Sequence, residues 1–364
     1  MLSAQLVPII SSPPEDSLQN NFPHKNQTRL KKITILAAAY NEEDNLKRFH
    51  SDLASLIAGT PVDCPHDYAK HNQQILSAFK PELFEWEFLF VNDGSSDHTL
   101  DVLRSLRAAD PRVHFVNLSR NFGKENALLA GMDFASGDAV IIMDADLQDP
   151  VYLIPEMIYW WEQGFDDIYG KRSNRGKESW LRRRLSLTFY KILQNSTKID
   201  VLPNVGDFRL LDRRAVDAIR NLRENQRYTK GLYCWVGFKK KEIVFDRADR
   251  SKGKSSFKFS SLFNLAIEGI TSYTTAPLRF SSILGFVVSL YAIIHIIFVL
   301  IKTLAYGEPV QGFPTLLCAI LFIGGVQLIA IGIIGEYIGR IFNETKRRPP
   351  YIAESFDDET PKRQ

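Results

Sequence analysis

The chain has 364 residues and carries 45 lysines and arginines against 42 aspartates and glutamates, a formal net charge of only +3. So mild a balance leaves no electrostatic footprint for nucleic acid, and the length suits a catalytic domain plus something smaller. Cys64, Cys234 and Cys318 are far apart and outside any Cys-x-x-Cys spacing. They point to neither a zinc site nor a disulfide framework, which places the soluble part in a reducing compartment and makes the sequons at Asn26, Asn117, Asn195 and Asn343 coincidental.

Residues 1–10 are apolar in flavour, but no basic segment precedes them and Pro13-Pro14-Glu15-Asp16 follows, so they are not read as a signal peptide. Residues 1–28, rich in Ser, Asn and Pro, are expected to be a disordered tail. Lys31 and Lys32 lead into a short buried strand, Ile33-Thr34-Ile35-Leu36-Ala37, and Tyr40-Asn41-Glu42-Glu43 is expected to open a helix with acids in its first turn. Residues 64–81 are polar and read as an irregular surface insertion. Phe88-Leu89-Phe90-Val91 is a second strand ending in Asn92-Asp93-Gly94-Ser95-Ser96-Asp97, a turn that caps the next helix. Val113–Leu118 is a third strand, followed by the loop Ser119-Arg120-Asn121-Phe122-Gly123-Lys124, a helix from Glu125 to Phe134 and the apolar run Ala139–Met143. Strands alternating with helices predict an α/β fold with a doubly wound, mostly parallel sheet and right-handed crossovers.

The run Ala139–Met143 delivers Asp144-Ala145-Asp146-Leu147-Gln148-Asp149-Pro150 to the carboxyl edge of that sheet, where open α/β folds bind ligands. Two acids separated by one small residue suit a hard divalent cation that also takes phosphate oxygens from a substrate. Alone, such a pair is equally a loop or a helix cap. No Gly-x-Gly-x-x-Gly follows the first strand and no Walker A sequence occurs, which argues against a dinucleotide cofactor and a P-loop.

Trp180, Leu181, Leu185, Thr188, Phe189 and Ile192 share one helical face, with Arg182, Arg183 and Lys191 away from it, the pattern of a basic helix at a membrane surface or of a helix docked on the core. Leu262, Phe263, Ala266, Ile270 and Tyr273 form a similar stripe. Phe280–Ile301 and Phe313–Ile334 each reach the ~20 apolar residues of a bilayer span and, joined by residues 302–312, read as a transmembrane hairpin. Arg279 before the first span and Arg340, Lys346, Arg347 and Arg348 after the second, against Lys302 alone in the connection, keep both termini and the catalytic domain in the cytoplasm by the positive-inside rule. The chain therefore divides into a tail (1–28), a catalytic domain (29–258), a juxtamembrane amphipathic helix (259–279), two transmembrane helices (280–340) and a cytoplasmic tail (341–364). Gly335-x-x-x-Gly339 allows close helix approach and a homo-oligomer.

Six motifs in order, Ala39-Tyr40-Asn41-Glu42, Val91–Asp97, Asn121–Lys124, Asp144–Asp149, Gly206-Asp207-Phe208-Arg209 and Lys230-Gly231-Leu232-Tyr233, with Gly335-Glu336-Tyr337-Ile338-Gly339-Arg340 near the end, resemble the family-2 inverting glycosyltransferases of GT-A fold. More narrowly the chain resembles the polyisoprenyl-phosphate glycosyltransferases, a group that includes dolichol-phosphate mannosyltransferase and the two-span bactoprenol glucosyltransferases. The resemblance implies that Ala39, Tyr40, Glu42 and Asp93 hold the nucleoside, that Asp144 contacts the nucleotide sugar with a weaker claim on the metal, and that Asp146 and Gln148 ligate Mg²⁺ or Mn²⁺. It places Asp207 on the acceptor side, either as a base for a residual proton or orienting a sugar hydroxyl or an arginine, makes Arg172 with one or more of Arg182, Arg183 and Arg184 the clamp on the lipid phosphate, and makes Arg250 and Lys254 part of a loop closing over the diphosphate. Lys124 and Arg209 serve either the site or a neighbouring acid. The reaction implied is transfer of a sugar, glucose from UDP-glucose by the same resemblance, to a polyisoprenyl phosphate within the membrane. A processive polysaccharide synthase, for which the Gln-x-x-Arg-Trp motif and additional spans are missing, transfer to another membrane lipid, and a degenerate membrane scaffold are the rival readings.

Overall fold

The computed structural model describes residues 29–60, 64–172, 205–225, 227–245, 276–306 and 312–360. The expected tail at 1–28, the Trp180–Leu193 stripe, the Leu262–Tyr273 stripe and the candidate residues Arg183, Arg184, Arg250 and Lys254 lie outside those residues.

Strand β1 (Lys31–Ala39) is flanked on one side by β2 (Phe84–Asn92) and then β3 (Val113–Leu118), and on the other by β4 (Ala139–Asp144), all parallel to it. Beyond β4 lies β6 (Val205–Asp212), antiparallel to β4 and to its other neighbour β5 (Asp167–Arg172), and β7 (Lys240–Phe245) pairs parallel with β5. The opposite edge is closed by β8 (Ala353–Phe356), antiparallel to β3, giving the order β7-β5-β6-β4-β1-β2-β3-β8. The sheet is thus mixed: β1 to β5 and β7 share one direction, while β6 and β8 run against it.

Alternate side chains enter two apolar layers. Ile33, Ile35, Phe88, Phe90, Ile141 and Met143 pack on α1 (Leu46–Ile57), α4 (Thr99–Ala109) and α6 (Ile154–Glu162). Leu36, Leu89, Val91, Val140 and Ile142 pack on α5 (Lys124–Phe134) and α7 (Arg213–Arg220), with Tyr233 of α8 (Thr229–Trp235) beneath. Both faces of the central strands are buried, which is why those strands read as continuous apolar runs.

The segment from Cys64 to Pro81 is not irregular. It forms two short helices, α2 (His66–His71) and α3 (Gln73–Ala78). Neither contains a buried residue, so no apolar stripe marks them in the sequence; Tyr68 anchors the first by donating to Glu156 at 2.8 Å.

The two apolar stretches are the helices α9 (Ala276–Tyr306) and α10 (Phe313–Thr345), which contact one another. Among the described residues, Phe322–Thr345 of α10 is long and apolar enough to cross a bilayer, at 24 residues, while Ile283–His295 of α9 is a shorter apolar stretch. Phe286, Tyr291, Leu328 and Ile331 are all more than 60% exposed. An apolar surface of that extent is untenable in water and matches lipid.

Candidate active site

β1 sits where the strand order reverses, with β2 on one side and β4 on the other. Parallel register aligns Ala38 with Asp144 and Ala39 with Asn92, so three strands end at one edge. This is the switch point at which open α/β sheets leave a crevice. A cleft of about 280 Å³ opens there, lined by residues 38–40 and Glu42 after β1, Asp93 after β2, Asn121, Gly123 and Lys124 after β3, and residues 144–146 after β4.

One wall is built from two turns clasped together. The Asp93 carboxylate accepts the backbone N–H groups of Phe122 at 2.7 Å and Gly123 at 3.0 Å. Burial pushes the Asp93 carboxyl up, while those two N–H groups pull it the other way. Next to it Gly94, at φ +64°, lies so close to the Arg120–Asn121 backbone that a Cβ would meet Arg120 C at 2.4 Å. Only glycine lets the two turns meet.

The exit of β1 is pinned to the same wall. Asn41, at φ +56°, donates its N–H to Ser95 Oγ at 3.0 Å, Glu42 donates to Thr99 Oγ1 at 2.9 Å and Glu43 to Asp97 Oδ2 at 3.4 Å. At φ +56° Asn41 is outside the helical region, so Tyr40–Glu43 does not form the expected first helical turn, and α1 begins only at Leu46. For the Glu42 carboxyl, burial and the nearby Asp146 and Asp144 charges outweigh the lowering by the Asn45 amide and raise its pKa.

The segment after β4 doubles back tightly. Asp144 donates its N–H to Asp149 Oδ2 at 2.9 Å, and Gln148 donates its N–H to Asp146 Oδ1 at 3.1 Å. Leu147 makes the reversal at φ +63°, a conformation uncommon for a residue with a Cβ. Asp149 is buried beneath the loop, and burial, then the Asp144 charge, pushes its carboxyl up to about 7. Its loop-holding role has no signature in the sequence beyond its place at the end of the motif.

The antiparallel pairing of β4 and β6 matches Ile142 with Arg209, and two residues further along the same register Asp207 stands across from Asp144. Lys124, at the start of α5, lies between them: its Nζ is 2.6 Å from Asp144 Oδ1 and 2.7 Å from Asp207 Oδ2. Asp207 is 8% exposed, and its Oδ1 is buried without a hydrogen-bond partner among the described residues. Burial would raise its pKa, but Lys124, supported by Lys230 and Arg209, overrides this and holds the carboxyl below the ordinary aspartate range. Lys124 is shifted up by the same two acids despite the opposing effect of burial. Arg172, at the end of β5, reaches the same edge, with its Nη2 3.3 Å from where a Cβ on Gly206 would stand. Arg209, by contrast, is directed away into a buried pair with Asp167.

Of the residues singled out from the sequence, Ala39, Tyr40, Glu42, Asp93, Lys124, Asp144 and Asp146 line one cleft, and Gln148, Asp207 and Arg172 border it. Thr99, Asn121 and Asp149 also build the site and were not assigned roles in advance. Among the described residues, no three His, Cys, Asp or Glu side chains close into a metal cage. The oxygen donors of Asp146, with Gln148 beside it, nonetheless fit a hard cation that keeps waters and takes phosphate oxygens. Asp144 is the poorer ligand, since the Lys124 ammonium already lies on its Oδ1.

Sequence comparison matches residues 34–220 to the model of glycosyl transferase family 2. The chain belongs to that family. Residues 276–341 match a second model, the GtrB C-terminal hairpin. Among relatives, the chain is 42% identical to the putative glycosyltransferase CsbB of Bacillus subtilis, over 88% of this chain and 90% of that one. It is 41% identical to the bactoprenol glucosyl transferase of Shigella phage SfV, over 89% and 98%, and 44% identical to the prophage bactoprenol glucosyl transferase homolog of Escherichia coli K12, over 88% and 98%. Among solved structures, it resembles glucosyl-3-phosphoglycerate synthase from Mycobacterium tuberculosis with a TM-score of 0.40 and 17% identity, over 66% of this chain and 76% of that one. The family-2 chain is a glycosyltransferase, its α/β sheet is of the GT-A type, and its hairpin associates it with a membrane.

Proposed function

We propose that this family-2 enzyme transfers a sugar, glucose from UDP-glucose, to a polyisoprenyl phosphate such as undecaprenyl phosphate, with inversion at the anomeric carbon. The observation that carries the reading is the Asp144–Lys124–Asp207 bridge at the switch-point cleft of a chain that continues into an apolar hairpin. The relatives named as bactoprenol glucosyl transferases, aligned over nearly their whole length, support the acceptor and the sugar.

Ala39, Tyr40, Glu42 and Asp93 hold the nucleoside, and Asp146 and Gln148, with Asp144 as the weaker ligand, hold Mg²⁺ or Mn²⁺. When bound, that cation neutralises charge on the departing diphosphate. Arg250 and Lys254 close over the diphosphate, and Arg172 with Arg183 and Arg184 grips the acceptor phosphate, as planar guanidinium groups do in two-pronged fashion. The acceptor oxygen attacks the anomeric carbon from the face opposite the diphosphate; a carbon–oxygen bond to the lipid phosphate forms as the bond to the β-phosphate breaks.

A phosphate monoester loses its second proton at about pH 6, so the nucleophile needs no strong base near neutrality. Asp207, held ionised by Lys124, is a poor proton acceptor and instead orients groups on the acceptor side. Two outcomes follow. With UDP-glucose as donor, kcat/KM falls below about pH 6 with the same midpoint in wild type and in Asp207→Asn; a limb that disappears in the variant would restore Asp207 as the base. Undecaprenyl phosphate supports turnover and diacylglycerol does not; the reverse would assign a different lipid.

Two crossings of the membrane, with the catalytic sheet and both termini in the cytoplasm, complete the proposal. The chain leaves the sheet at β7 and rejoins it at β8 beyond the hairpin, which supports an even number of crossings between them. The Arg279 and Arg340–Arg348 flanks support the cytoplasmic side. A homo-oligomer through the Gly335-x-x-x-Gly339 face is compatible with this topology.

A further inference from the structure

We infer that the segment returning from the hairpin, residues 351–360, is a working part of the donor site, and that Asn117 and Asn92 are positioning residues that carry its hold to the nucleoside wall. The inference rests on the reading of the switch-point cleft as the donor site.

The return segment is firmly seated on the outer edge of β3. Phe356 stacks on Phe134 at 5.2 Å and on His114 at 5.8 Å. Asp357 accepts from His114 Nδ1 at 2.6 Å and from the Phe115 N–H at 2.9 Å, and Asp358 pairs with Arg104 at 2.9 Å. Ser119 donates its N–H to Ile352 O at 3.0 Å, just after the irregularity at Asn117/Leu118, which is where the chain leaves β3 for the loop lining the cleft.

From this seat a line of hydrogen bonds runs inward. Glu354 Oε2 accepts from Asn117 Nδ2 at 2.8 Å, and Asn117 Oδ1 accepts from Asn92 Nδ2 at 2.7 Å. Asn92 Oδ1 accepts the Ser95 N–H at 3.3 Å, Ser95 Oγ accepts the Asn41 N–H at 3.0 Å, and Asn41 Oδ1 accepts the Ser96 N–H at 2.9 Å. Asn92 is 2% exposed and immediately precedes Asp93, while Asn41 immediately follows Tyr40, so the line ends on both sides of the cleft wall. The Asn117 and Asn92 amides each use oxygen and nitrogen on different elements, and Asn41 meets the Ser95–Ser96 turn with its backbone N–H and its side-chain oxygen, which connects β8, β3, β2 and the β1 exit.

The test is the Kd of UDP with Mn²⁺, measured by calorimetry on the full-length protein in detergent. Asn117→Ala and Glu354→Ala each raise Kd by up to about fivefold, the ratio reached when one ordinary hydrogen bond acts wholly on the binding-competent form of the wall. Glu354→Gln, which keeps an acceptor oxygen, stays within about twofold of wild type. Glu354 is exposed, and loss of one such bond lowers the melting temperature by no more than a few degrees, so Glu354→Ala stays folded in the assay and its weaker binding is not a folding defect. Unchanged Kd in both alanine variants overturns the inference; weakening in Asn117→Ala alone removes the return segment from it. A wild-type protein that binds no UDP overturns the donor-site reading first, a failure distinct from either.

Discussion

Lys124→Met lowers the melting temperature of the purified protein by roughly 5–10 °C and its turnover by roughly a hundredfold or more. Asp144 and Asp207 face one another across β4 and β6, a cross-strand pairing of like charges that is destabilising on its own. The lysine removes that repulsion and gives the buried Asp207 its counter-ion. Without it Asp207 stays ionised in a site from which water is largely excluded, and stripping one partner from a buried pair costs about 3–5 kcal/mol. The half-exposed lysine and Asp144 see more solvent, which moves the expected loss toward the lower end. Asp207→Asn combined with Lys124→Met then recovers a large part of the lost stability, because the uncompensated charge is gone; a double variant no more stable than the single one would deny the coupling. The pH dependence has a definite sign. A carboxyl whose pKa is lowered by folding stabilises the fold above its unfolded value near 3.9, and this is lost as pH falls through the folded value. A lysine whose pKa is raised contributes fully below about 10.4, and this is lost as pH climbs through the folded value. In Lys124→Met burial instead raises the unpaired Asp207 carboxyl, so the difference from wild type is greatest and flat from neutral pH to about 9 and shrinks as pH falls and Asp207 takes up a proton.

Arg209→Met is the second large effect, and it falls on the fold more than on the chemistry. The guanidinium and the Asp167 carboxylate are each 3% exposed, and Nη1 reaches both Asp167 oxygens, at 3.2 and 3.1 Å. Its Cζ lies 3.5 Å from the centroid of the Tyr233 ring, and Nη2 donates to Gly206 O at 3.3 Å. One side chain thus joins β5, β6 and α8 directly behind Asp207. Burial raises the Asp167 carboxyl even though Arg209 opposes it, the mark of a charge that depends on its partner. Removing the arginine costs about 3–5 kcal/mol, or roughly 10 °C in melting temperature. Arg209→Lys does not rescue, since an ammonium neither stacks on Tyr233 nor reaches two acceptors in one plane. Replacing both partners, Arg209→Met with Asp167→Leu, restores most of the stability. A single variant that melts with wild type would mean that the pair is not needed to hold this corner.

Much of the site was legible because its residues sit at the ends of strands whose apolar runs announce themselves. Asp144 and Asp146 follow Ala139–Met143, and Asp93 follows Phe88–Val91, so their convergence required only that the strands be parallel. The partnership of Lys124 with Asp144 and Asp207 was not legible, because it depends on β6 returning antiparallel beside β4. β6 contributes a motif to the resemblance, but its length and direction are set by pairing rather than by local pattern. β8 was missed altogether: Ala353-Glu354-Ser355-Phe356 has no apolar run, and its strand conformation comes from docking on β3. The same competition explains the misplaced start of α1. Tyr40–Glu43 has the acids of a helix N-terminus, but Asn41, bonded to Ser95 and Ser96, is held at φ +56°, a conformation no helical turn contains. Tertiary hydrogen bonds overrode a local signal.

The central claim is tested most directly by transfer itself. Full-length protein, purified in detergent, is given a panel of labelled UDP- and GDP-sugars, undecaprenyl phosphate and Mn²⁺, with Asp146→Ala alongside. The expected result is a lipid-linked sugar from UDP-glucose, absent in the variant. No lipid-linked product from any donor, from protein that is folded and binds UDP, would contradict transfer to a polyisoprenyl phosphate.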